Sequence, residues 1–184
     1  MKWVPAFAGM CGSGMGFVIA VDGPAASGKG TIAVRLGKLY GYPVLDSGLL
    51  YRAVGVRVLA EGGDLSDVAH ATRVAQTLDP ATLENPEVRT RAAGEAASRV
   101  AAYTTVREAL RQFQRTFAAQ EPGVVIDGRD IGTVIAPNAD AKLFVTATPE
   151  VRADRRWKQL TGQGEPVTYE DILADIRIRD ERDS

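Results

Sequence analysis

The chain alternates short runs of consecutive apolar residues with longer stretches in which apolar positions recur every three or four. FVIAVD at 17–22 is a continuous, β-branched run bounded by Gly16 and by Gly23-Pro24, the pattern of a strand buried on both faces and so of a parallel sheet. GVVID at 123–127 and AKLFVT at 141–146 are further runs of the same buried kind, and a second strand is placed just before LDSGLLYR at 45–52. Helical spacing follows the first run: Ile32, Val34, Leu36 and Leu39 lead to a glycine stop at Gly41, with Lys38 in the last turn. The clearest helix is Thr105 to Gln120, where Val106, Ala109, Leu110, Phe113 and Phe117 form one stripe and Thr105 with Glu108 makes a capping box. Thr148-Pro149-Glu150 supplies an N-cap and an N1 proline for another helix, and Thr168 with Asp171 caps a third. Strands alternating with helices predict a layered α/β fold with right-handed crossovers.

Residues 61–104 contain no buried-strand run and are rich in Ala, Asp, Glu and Arg. They read as a small helical insert lying over the sheet, hinged at Gly62-Gly63. Gly162 to Pro166 separates two charged helical stretches and reads as a mobile loop. Composition narrows the class. The 184 residues are 45% hydrophobic and 24% charged, which fits one globular domain and excludes disorder, a collagen-like repeat or a disulfide scaffold. A net charge of −1 provides no global field for nucleic acid polymers or anionic membranes, so any anion must be held locally. Arginine outnumbers lysine 17 to 5, and its planar fork suits phosphate. The same bias arises in any GC-rich genome. A single cysteine, Cys11, and a single histidine, His70, exclude an internal disulfide and a His/Cys zinc cluster. A reducing, cytoplasmic setting is expected, with His70 on the surface, and no apolar run reaches the roughly 18 residues of a membrane span. Residues 1–16 loosely imitate a signal peptide, but Pro5 and Gly9 interrupt the apolar stretch. They read as a flexible leader, or as a start placed too far upstream.

Between the first strand and the first helix lies GPAASGKGT: Gly23, Pro24, Ala25, Ala26, Ser27, Gly28, Lys29, Gly30 and Thr31. This context makes a glycine-rich string a phosphate cradle, a P-loop whose amides and positive helix end face the anion while Lys29 reaches the β and γ oxygens. Gly30 follows the lysine and the hydroxyl is displaced to Thr31, which leaves the direct Mg²⁺ ligands open. No Asn-Lys-x-Asp is present, so a guanine switch is excluded and a kinase for a small molecule is favoured.

GPAASGKGT, LDSGLLYR, SRVAAYTTVREAL and VVIDGRDIGT, in that order, resemble the bacterial cytidylate kinases from about Phe17 onward. The resemblance implies a three-layer P-loop kinase fold over residues 17–184, with a central parallel sheet, a short NMP-binding insert at about 61–104 and a lid at about 155–168. It implies transfer of the γ-phosphoryl of ATP, with Mg²⁺, to CMP or dCMP by a monomeric enzyme. Ser47 and Arg52 match acceptor contacts, with Arg52 on the phosphate. Ser98 and Arg107 match the positions that read the cytosine edge. Arg129 matches an arginine on the acceptor phosphate, Asp130 a partner near the cytidine, and Arg179 and Asp183 further acceptor positions. Arg155 and Arg156 match lid arginines that neutralise the transferring phosphoryl group, one of which can be worth about 10³–10⁵ in rate. Arg152 is read as solvent-facing. Asp127, ending GVVID, stands where a carboxylate orients Mg²⁺ or its water. Taken without the resemblance, such serines and arginines on helices are more often surface residues, and Asp127 with Arg129 fits a structural pair; only the family pattern reverses that reading.

Two departures bear on this reading. The insert is shorter than in better-known members, and ATLENPEVRT supplies at most a turn leading into a helix. The chain stops at RIRDERDS, where relatives continue with another arginine, a strand and a helix. A missing C-terminal strand and helix, an open sheet edge and weakened activity are therefore expected. A silent ATP-binding module and a P-loop kinase for a sugar or shikimate-like acceptor are the competing readings.

Overall fold

The computed structural model describes the backbone of residues 16–183 and the side chains of 16–181; the leader reading falls on 1–16, of which 1–15 lie outside the described residues. Four parallel strands, β1 (Phe17–Asp22), β2 (Val44–Asp46), β3 (Gly123–Gly128) and β4 (Ala141–Phe144), form one sheet in the order β2-β3-β1-β4. The two central strands carry most of the sheet's burial: β3 is buried throughout and β1 from Ile19 onward, as continuous apolar runs require. Helices α1 (Lys29–Tyr40) and α2 (Ser47–Ala60) follow β1 and β2. The insert comprises α3 (Val68–Gln76), two 3₁₀ turns (Pro80–Glu84 and Pro86–Arg89) and α4 (Arg91–Val100), and α5 (Thr104–Ala118) returns the chain to β3. After β3 come a π turn (Ile131–Ile135), β4, α6 (Pro149–Gly162) and α7 (Tyr169–Asp183).

The main core lies between the sheet and α2, α3, α4 and α5, with Leu50, Val54, Val58, Val74, Val100, Leu110 and Ile126 fully buried or nearly so. A second cluster joins Ala33 of α1 to Ile19, Val21 and Val125 on the other face. A third joins α6 to α7 through Ala153, Leu160, Ile172 and Ile176. The insert is helical throughout, and it packs on α2 and α5 more than over the sheet.

Several expectations change. AKLFVT is not a buried strand: β4 ends at Phe144, occupies the sheet edge, and leaves Lys142, Leu143 and Phe144 exposed. An apolar run cannot report whether anything covers it. In α1 the sheet-facing residues are Ala33 and Gly37, while Val34 and Leu39 are exposed; the close approach of helix to sheet selects small side chains. The capping box at Thr105 does not form. The helix begins one residue earlier with Tyr103 as an N-cap that makes no side-chain hydrogen bond, Thr105 Oγ1 meets Thr72 Oγ1 at 2.6 Å, and Glu108 pairs with Arg111. Thr148 and Thr168 do cap α6 and α7. His70 lies at the surface but half-buried: its ring is 13% exposed and 2.7 Å from Glu61, against Gly63, pinning the turn at Gly62-Gly63. Gly162 to Pro166 is a helix-ending turn, with Glu165 N–H donating to Leu160 O at 3.0 Å and Val167 packed against the α6–α7 cluster. Among the described residues no helix is long and apolar enough to cross a membrane.

Candidate active site

At the end of β1 the chain turns sharply enough to require special backbone. Gly23 has φ of 154°, and a Cβ there would lie 2.1 Å from Val145 O, so only glycine fits. Ala26 adopts φ of 59° and Gly28 φ of 97°, the left-handed conformations that curl a loop around an anion. No side chain caps the N-terminus of α1, leaving its first amides and its positive dipole end facing the loop. The Ser27 hydroxyl is buried without a hydrogen-bond partner. Lys29 Nζ arches back to Pro24 O at 3.4 Å. Burial pushes the Lys29 ammonium below its usual range, with Arg129 adding to the effect and Asp127, Asp46 and Asp22 opposing it. Thr31 is exposed on the first turn of α1.

Three strand-end carboxylates surround the lysine. Asp127 Oδ1 is buried with no partner, and the carboxyl is pushed up to about 7, first by burial and then by Asp46 and Asp22, with Lys29 opposing. A desolvated carboxylate with an unused oxygen beside a phosphate cradle is chemically suited to a hard cation. Among the described residues no three His, Cys, Asp or Glu side chains form a cation cage, so such an ion would draw its other ligands from phosphate or water.

Arginines gather on the opposite side. Arg52 on α2 donates from Nη1 to Val88 O at 3.1 Å and Thr90 O at 2.9 Å, which fixes its stem. Arg179 on α7 donates to Gly94 O at 3.3 Å. Gly94 lies where the two meet: a Cβ there would stand 3.1 Å from Arg52 Nη2 and 3.5 Å from Arg179 Nη2. Burial pushes Arg52 below its usual range, helped by Arg156 and Arg179, and burial followed by Arg179 does the same to Arg156. Three guanidiniums are thus held close together against their mutual repulsion. Ser47 is buried, with Oγ over Gly128. Ser98 is half-buried and donates to Gly94 O at 3.2 Å. Arg107 and Asp130 are exposed, and both act on Tyr51, whose phenol is raised first by burial and then by Asp130, with Arg107 opposing. The Asp183 side chain lies outside the described residues.

The lid arginines divide. Arg155 is exposed and donates to Ser27 O at 2.9 Å, directly over the cradle. Arg156 donates to Gln159 at 2.9 Å. Arg152, expected to face solvent, is instead 3% exposed and ion-paired through both terminal nitrogens with Asp180 of α7. It also donates to Ala147 O at 2.9 Å and to Ala25 O at 3.3 Å. Its register on α6 points at the P-loop, and no one-dimensional spacing reveals a partner 28 residues later. A cavity of about 650 Å³ opens between these parts, lined by Gly23, Pro24, Arg129, Thr146, Arg152 and Asp180 among others.

Sequence reasoning passed over Asp22, Asp46, Gly94 and Asp180. Two left a signal: Asp46 precedes Ser-Gly as an N-cap and accepts from Gly48 N–H at 2.9 Å, and Gly94 interrupts an alanine-rich helix where glycine costs about 1 kcal/mol. Asp22 and Asp180 left none.

The family profile described as Cytidylate kinase matches residues 19–184. The chain is 71% identical over 169 residues to a cytidylate kinase of Caulobacter vibrioides (strain NA1000 / CB15N), an alignment covering 92% of this chain and 79% of that protein. It is 64% identical over 167 residues to a cytidylate kinase of Xanthobacter autotrophicus, covering 91% and 80%. In three dimensions it is similar to an uncharacterized protein from Eubacterium ventriosum, with TM-score 0.51 and 16% identity over 91% of this chain and 75% of that one, a likeness of fold alone. With a P-loop facing a nest of arginines and homologues this similar over nine-tenths of its length, the chain belongs to the cytidylate kinase family.

Proposed function

We propose that the protein transfers the γ-phosphoryl group of ATP to CMP or dCMP, giving ADP and CDP or dCDP. One observation carries the reading most directly: the Arg52 and Arg179 guanidiniums meet at Gly94, with Arg156 close enough to push Arg52 below its usual range, in a molecule that also presents an uncapped helix end beside Lys29. Such a cluster is relieved by a phosphate dianion, and alongside the backbone cradle it offers a second place for a phosphate-bearing ligand.

In this scheme residues 23–31 hold the ATP phosphates through main-chain amides, and Lys29 sits at the β and γ oxygens. Arg52, Arg129 and Arg179 orient the acceptor phosphate. Ser47 and Asp130 line the acceptor, with Ser98 and Arg107 at the base and Asp183 close to the nucleoside. An acceptor phosphate oxygen forms the new bond to the γ phosphorus as the β–γ bridging bond breaks, and ADP departs. The attacking oxygen is already anionic, so no general base is required, and catalysis reduces to alignment and charge neutralisation. Arg155 exchanges the Ser27 carbonyl for phosphoryl oxygens as α6 closes, and Arg156 joins it. Asp127 would hold Mg²⁺ or one of its waters, and the ion would supply further neutralisation of phosphate charge. The domain boundaries at 61–104 and 155–168, and a monomeric, cytoplasmic state, extend the same reading.

Coupled ADP-release assays with ATP and Mg²⁺ test it. ADP is expected only on addition of CMP or dCMP, with little from UMP, AMP, sugars or shikimate-like alcohols. ATP binding without turnover on any acceptor would refute the assignment in favour of a silent module, and turnover on an alcohol would refute it in favour of another kinase.

A further inference from the structure

The last residue of β1 and the glycine after it do more than lead into the phosphate cradle. Asp22, 9% exposed, reaches with its carboxylate to the segment after β3. Oδ1 accepts the Ile131 N–H and Oδ2 the Gly132 N–H, each at 2.8 Å and both buried. These are the first amides of the π turn, whose own N-cap residue, Asp130, contributes no side-chain cap. The cap therefore comes from a residue more than a hundred positions earlier. On the other side of the same segment, Gly23 N–H donates to Gly128 O at 3.2 Å. Arg129 and Asp130 are thus the two residues between a pair of clamps, one supplied by the last residue of β1 and the other by the first residue of the P-loop.

We propose that Asp22 is a positioning residue for the acceptor site, its carboxylate holding the loop that bears Arg129 and Asp130 at a set distance from the phosphate cradle. The inference rests on the kinase reading above. Ionic hydrogen bonds to two adjacent amides resist both sliding and rotation, whereas a single neutral bond allows either. Tying the acceptor loop to the cradle's own strand makes the separation of the two phosphates a property of β1 itself, and in-line transfer depends on that separation. The π turn matches the frequent occurrence of such turns at functional sites. Gly132 is small for the same reason, since a Cβ there would stand 3.3 Å from Asp22 Oδ2 and 3.1 Å from Lys142 Cδ.

Asp22→Asn preserves shape but turns one acceptor into a donor facing an N–H. Isothermal titrations of the full chain with CMP alone and with ADP alone, plus steady-state kinetics, read the effect. The CMP dissociation constant and KM are expected to rise about tenfold, kcat to fall, and ADP affinity to stay within about twofold. Gly132→Ala pushes on the same contact from the other side and should shift CMP affinity in the same direction, by less. CMP affinity unchanged in a folded Asn variant, or equal losses for CMP and ADP, would overturn the proposal. Should the Asn variant fail to fold, Gly132→Ala decides by the same two criteria. A parent chain that binds both nucleotides without phosphorylating CMP would sink the kinase reading, while a selective loss of CMP binding in Asp22→Asn would still uphold the clamp.

Discussion

Around Lys29 the molecule collects carboxylates from the ends of three strands, whereas around Arg52 it collects the guanidiniums of two further helices, Arg179 meeting it at Gly94 and Arg156 acting on it. Both ends hold like charges together, with opposite sign and by different means. The donor end is made mostly of backbone: left-handed residues, an uncapped helix and strand termini whose spacing the sheet dictates. The acceptor end is made of long side chains steered by carbonyls, as Arg52 is by Val88 and Thr90 and Arg179 by Gly94. A backbone cradle is preorganised whether or not ligand is bound. A side-chain cluster relaxes its repulsion only when an anion enters. Lesions at the first should therefore act on the chemical step, and lesions at the second on acceptor binding.

The largest expected effect is at the donor end. Lys29→Ala should lower kcat by about 10²–10³-fold or more while the melting temperature stays near that of the parent; near-normal turnover would remove the distinction. Next, Arg52→Ala should raise the CMP KM by about 10–100-fold, from the loss of a charge-assisted contact of about 1.5–3 kcal/mol, with the ATP KM little changed. Equal changes in both constants would show that the two ends are not separable.

A pH test addresses the stored charge directly. The folded Asp127 carboxyl is raised from 3.8 to about 7, so its contribution to stability is fully present below about pH 3.8 and lost as pH rises through about 7. Asp127→Asn should therefore melt above the parent at pH 8 in EDTA, by an amount worth about 1–4 kcal/mol, with the gap closing toward pH 4. The same variant should lose activity, and a gap that widened on acidification would contradict the assigned direction. The smallest effect belongs to the acceptor end. Gly94→Ala gains helix propensity of about 1 kcal/mol but pushes on Arg52 Nη2, so melting should hold or rise while the CMP KM climbs about two- to fivefold. A KM that did not move would mean that the arginine yields freely.

Legibility follows the same division. The P-loop, the strand–loop–helix context and the LDSG turn into α2 were readable because each is a contiguous stretch whose local geometry demands its residues. The roles proposed for Arg52, Ser98, Arg107, Arg129 and Arg179 come only through a family resemblance, since a polar side chain looks the same in sequence whether it meets a phosphate or water. Arg152 misled for the converse reason: a charged residue reads as exposed until a distant carboxylate such as Asp180 is brought to it. β4 misled because burial is set by neighbours, and Phe144 is as apolar on a sheet edge as in a core.

By itself, then, the order of residues determined the parallel α/β layering, the helical insert and the phosphate cradle, because apolar periodicity and glycine's conformational freedom act over a few neighbouring positions. The tertiary structure alone decided which strand lies at the edge, which arginines converge on Gly94, and that Asp22 caps a turn 109 residues away. Those outcomes depend on contacts between distant segments, whose energies exist only once the sheet has assembled and excluded water from between them.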